Sequence, residues 1–152
     1  SLAPRLRTSG EGPPDRRTTL WGMLILTLLA CATVHPVPEG AVLAPCPSSP
    51  NCVSTQAPRD DAVHYVAPVP FSGSLDEVAV VVRDELGCDL LHSGPDYLHG
   101  SCTTRSGLFT DDLHVLLSDG RLHVRSASRL GYGDLGVNRR RVGRLVELLV
   151  RD

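Results

Sequence analysis

A chain of 152 residues, 41% hydrophobic and 21% charged, has room for one modest globular domain with a leader or tail and is not disordered throughout. A net charge of −2 and only 4% aromatic residues argue against a nucleic-acid binder and against a stacking platform for bases or sugars. All 15 basic residues are arginine, which excludes P-loop, Schiff-base and all other lysine chemistry.

The first residues are rich in Pro, Gly and Arg, with Arg5, Arg7, Arg16 and Arg17 outnumbering Glu11 and Asp15. An apolar run follows from Leu20 to Ala32. It falls short of the ~20 residues that cross a bilayer and fits the core of a signal peptide. Its end, Leu28-Leu29-Ala30-Cys31, resembles the lipobox of bacterial lipoprotein precursors. That resemblance implies a signal peptide over residues 1–30 and lipidation of Cys31. The expected location is then the bacterial cell envelope, anchored in the membrane and facing the periplasm. Residues 31–62 read as a lipidated tether with a Cys-containing loop, and residues 63–152 as the folded α+β domain.

Ala62 to Ala67 is β-rich, and Pro68 and Pro70 place its end at a sheet edge. Ser74 opens a helix with Glu77 three residues on, a capping-box pattern. Leu75, Val78, Ala79, Val82 and Leu86 recur at helical spacing before Gly87. Four strands follow, at Cys88–His92, Tyr97–Thr103, Asp111–Leu117 and Leu122–Ala127. The last two flank Asp119-Gly120, a tight-hairpin signal that sets Val115 opposite Val124 and His114 opposite Arg125. A final helix from Asn138 to Leu149 carries Val142, Leu145, Val146 and Leu149 on one stripe. The order β-α-β-β-β-β-α predicts a two-layer α+β fold, an antiparallel sheet of about five strands with two helices on one face.

Cys46 and Cys52 close a tight Pro-rich loop, where a structural bridge is favoured over free thiols, and metal or redox work ranks last because neither zinc-ligand spacing nor a Cys-x-x-Cys motif is present. Cys88 and Cys102 lie directly opposite if opposed positions in their hairpin sum to 190, which leaves a second bridge open. No cofactor motif and no metal-ligand set is legible.

Pro45-Cys46-Pro47-Ser48-Ser49-Pro50-Asn51-Cys52, His64-Tyr65-Val66, Asp111-Asp112 and Arg125 to Arg129 stand out as motifs. So does the run through Gly131, Asp134 and Gly136 to Asn138-Arg139-Arg140-Arg141. Together they resemble domain-of-unknown-function family 1499, over roughly Leu43 to Leu149. The family comprises small bacterial envelope and plant proteins, so the resemblance implies a small protein of that kind and supplies no catalytic assignment. Arg139, Arg140 and Arg141 stand where the helix dipole disfavours cations. Either Arg125, Arg129 and Arg139 surround a phosphate or carboxylate, or these arginines join an internal network with Asp111, Asp112 and Asp134. The network is the simpler arrangement, and Arg125, Asp134, Asn138 and Arg139 are expected to connect within it. His114 opposite Arg125 reads either as a general base beside an oxyanion stabiliser or as a solvated sheet face. The expected function is a lipid-anchored envelope module that binds an envelope protein or small ligand without catalysis and without nucleic acid. The alternative is a small hydrolase, transferase or anion-binding enzyme using the His114/Arg125 face.

Overall fold

The computed structural model describes residues 40–150; Cys31 and the leader lie outside the described residues. Six strands are present: β1 (Cys52–Ser54), β2 (Val69–Pro70), β3 (Asp89–Ser93), β4 (Tyr97–Thr103), β5 (Thr110–Ser118) and β6 (Arg121–Ser128). The described residues also form two helices: α1 (Leu75–Val80), continued by a π-turn over Val81–Glu85, and α2 (Val137–Leu149). The sheet order is β1-β6-β5-β4-β3, with β2 sharing the outer edge of β6 with β1, and all named strand pairs are antiparallel.

The β5–β6 hairpin has the register its turn dictates. Asp119 and Gly120 both take positive φ (51° and 68°), as a tight primed turn requires. Val115 pairs with Val124, Leu117 with Leu122 and His114 with Arg125. Strand alternation then sends Leu98, Leu113, Val115, Leu122 and Val124 to one face. Both helices pack there, through Leu75, Val78 and Val82 from the first and Val142 and Leu145 from the second. Gly100 in β4 lets the first helix approach closely, since a Cβ there would stand 3.1 Å from Val82. Ser74 caps α1 by accepting from the Glu77 N–H at 3.4 Å.

Two expectations are corrected. The first strand does not occupy Ala62–Ala67. Asp61 accepts from the backbone N–H groups of Val63 and His64, both at 3.1 Å, and bends that stretch into a turn. Beyond a single parallel bridge between Tyr65 and Ser54, strand pairing resumes at Val69. The sheet starts in the Cys-containing segment rather than after Val63, because β1 pairs with β6 through Cys52–Ala127, Val53–Ser126 and Ser54–Arg125. The sheet has six strands, two of them short, and the expected α+β fold with an antiparallel sheet of about five strands holds.

Both bridges form, Cys46–Cys52 and Cys88–Cys102, with Cα–Cα distances of 5.7 and 4.2 Å. The first ties the Pro-rich segment to β1. Replacing Cys46 and Cys52 together by Ser should cost about 2 kcal/mol in chemical denaturation by freeing that short loop in the unfolded chain. Non-reducing peptide mapping of the parent should recover Cys46 linked to Cys52.

Candidate functional site

The sheet separates two polar systems. On the helix side, alternation places Asp111, Ser126 and Ser128 under the start of α2. Asn138 is fully buried there. Its Oδ1 accepts from Ser126 Oγ (2.6 Å) and Arg141 (2.8 Å). Its Nδ2 donates to Asp134 (2.8 Å), Ser128 Oγ (3.0 Å) and the Asn51 carbonyl (3.1 Å). Asp134 caps the helix by accepting from the N–H groups of Gly136 and Asn138 at 2.9 and 2.8 Å. Burial pushes its carboxyl up, but those N–H donors outweigh burial and hold it below the usual range. Arg141 reaches buried Asp111 at 2.6 Å. These groups satisfy one another and fix α2 on the sheet.

The expected network is corrected in two members. Asp134 and Asn138 belong to it, but Arg125 and Arg139 do not. Arg125 projects from the other face of β6. Arg139 donates to the carbonyls of Tyr65 (2.9 Å), Val63 (2.8 Å) and Ala62 (3.3 Å), clamping the Asp61–Tyr65 turn. A shared anion site of Arg125, Arg129 and Arg139 is therefore not assembled. Arg141 and Asp111 take the role expected of Arg125 and Arg139.

The opposite face carries no helix among the described residues, and it is where the unused chemistry collects. The registers align one row across five strands: Ser54, Arg125, His114, His99 and His92. His114 and His99 stack with ring centroids 4.3 Å apart, and Tyr97 Oη shares a 2.7 Å hydrogen bond with His114 Nδ1. His99 donates through Nε2 to Asp112 at 2.8 Å. Arg129 grips the same carboxylate with Nε and a terminal nitrogen, at 2.9 and 2.8 Å. Burial raises the Asp112 carboxyl, yet the His99 and Arg129 donors more than reverse this and hold it well below the usual carboxylate range. Leu43 closes one end of the face by packing on Tyr97 and Leu116, held there by Gln56, which accepts from the Leu43 N–H at 2.7 Å.

His99, Asp112 and His114 bring one ligating atom each within 4.8 Å of one another. The stacking of the two rings sets their in-plane lone pairs side by side instead of converging, and Asp112 already accepts three N–H bonds. The trio is built as a hydrogen-bonded cluster, not as a coordination shell. Ser126 and Ser128, the nearest hydroxyls in sequence to Arg125, lie on the helix side and cannot serve His114 as nucleophiles.

A cavity of about 540 Å³ lies between the Pro-rich segment and residues 54–64, with His64 on its wall. His64 Nδ1 donates to Asp61 at 2.7 Å and Nε2 to the Ser49 carbonyl at 3.1 Å. Two acceptors suit the imidazolium, and the Asp61 hydrogen bond raises the His64 pKa. A group whose pKa is raised on folding stabilises below its unfolded value and loses this as pH climbs through its folded value. The urea midpoint should therefore fall as pH climbs above the ordinary histidine range, and His64→Gln should flatten that fall.

Tyr97, His99 and His123 were not singled out as site residues by sequence, and His64 stood out only within its motif, without its partner Asp61. The alternation of His92, Tyr97, His99, His114 and His123 on strand positions was the available signal, but a bulge between Leu90 and His92 hides the β3–β4 register. The model of the family described as "Protein of unknown function (DUF1499)" matches residues 42–149. No curated protein and no solved structure matches the chain.

Proposed function

Since the chain belongs to the DUF1499 family of proteins of unknown function, we propose its role from its own residues: a lipid-anchored cell-envelope protein whose domain binds a ligand on the helix-free sheet face, without catalysis. The arrangement of that face carries the binding reading. It gathers Arg125, three histidines in register and Tyr97, while the helix-side polar groups are consumed by the fold. The apolar run ending at Cys31 and the two bridges, which persist outside the cytoplasm, support the periplasmic location. Acyl chains on Cys31 would hold the domain at the membrane. Metabolic labelling with palmitate in a bacterial host tests this. Label should enter the parent chain and be lost in Cys31→Ser. Equal labelling of both, or of neither, would overturn the anchor.

A further inference from the structure

The geometry points to a small-oxyanion site on this face, centred on Arg125 and His123, for the phosphate or carboxylate group of a ligand. This deepens the binding reading above and rests on it. Two buried side-chain nitrogens lack any hydrogen-bond partner, Arg125 Nε and His123 Nδ1. They belong to side chains two residues apart on one strand, so both project from the same face about 7 Å apart along β6. Buried donors are almost always partnered, so an adjacent pair left over marks a place where something else accepts.

The charge balance says what that acceptor is. Arg125 makes no ion pair among the described residues. Burial lowers its pKa, and the nearby Asp112 and Tyr97 offset this only in part. The nearby carboxylate, Asp112, is committed to His99 and Arg129. His114, directly opposite Arg125, adds a further imidazole beside the site. Ser54 faces Arg125 from β1, but its hydroxyl accepts from the Gln56 N–H at 3.1 Å. An incoming oxyanion would accept from the guanidinium and, in the tautomer or imidazolium with a proton on Nδ1, from His123, and would add the negative charge that Arg125 lacks an ion pair to supply. A cation is disfavoured at the same place by Arg125 and Arg129.

The test is a titration of the oxidised full-length protein in detergent, followed by long-range proton–nitrogen spectra of the imidazoles. Inorganic phosphate and acetate separate the two oxyanion types, and glycerol 3-phosphate stands for a lipid headgroup. His123 signals should shift saturably with at least one of the three, with a dissociation constant of about 1 mM or tighter. Arg125→Ala should weaken binding about tenfold or more, while Arg139→Ala, on the other side of the sheet, should leave it unchanged. Arg125→Lys keeps the charge and should retain part of the affinity, which covers the case in which Arg125→Ala does not fold. Tighter binding of glycerol 3-phosphate than of phosphate would support the site and identify a headgroup as its source. No saturable shift with any of the three, or equal affinity in parent and Arg125→Lys and Arg125→Ala, would overturn the site. Palmitate labelling that persists beside a flat titration would confine the failure to this inference.

Discussion

Asp111→Ala should lower stability by about 4 kcal/mol, the largest effect expected of any single substitution here. Asp111 is buried at the end of β5, and its carboxylate holds Arg141 at 2.6 Å. The Arg141 side chain is itself only 11% exposed. Removing the acid leaves a buried guanidinium without a counter-charge, which costs more than the ion pair contributes when intact. Asp111→Asn should cost less, since an amide oxygen still accepts from Arg141. Urea unfolding checks both: the midpoint should fall with an unchanged slope. Arg144→Ala is the control. Its partner Glu147 is 3.5 Å away and both side chains are largely exposed, so its effect should stay within about 0.5 kcal/mol.

Asn138→Ala should cost about 3 kcal/mol. One side chain joins β6, the Asn51 segment, the Asp134 cap and Arg141, and it is completely buried. The alanine leaves the Ser126 hydroxyl without its acceptor beneath α2, and the Asn51 carbonyl keeps only the Ser128 N–H of its two donors. Arg139→Ala should cost clearly less, because its three carbonyl partners sit in an exposed turn that Asp61 also holds. Equal midpoints for Asn138→Ala and the parent would mean that α2 is fixed by its apolar stripe alone.

Sequence reading reached what short-range chemistry controls. The Asp119-Gly120 turn sets a two-residue loop, and every β5–β6 pair follows from it, including His114 opposite Arg125. The capping Ser74 and the stripe of Val142 and Leu145 placed both helices against one face. What stayed hidden depends on long connections. The chain between β4 and β5 is too long to fix a register, so nothing local set His99 beside His114. The bulge in β3 shifted His92 into the same row. Arg125 and Arg139 were grouped because they flank one Gly-rich loop. The loop turns the chain from the sheet to the helix layer, and the sheet then stands between them. Arg141, two residues after Arg139 in the same run, is the residue that helical phase aims at Asp111.

The proposed anchoring is tested most directly by the intact mass of the protein extracted from membranes without reduction. It predicts a chain that has lost residues 1–30, begins at Cys31, carries a diacylglyceryl group there and retains both disulfide bridges. A chain that keeps residues 1–30, or one with an unmodified Cys31, would contradict it.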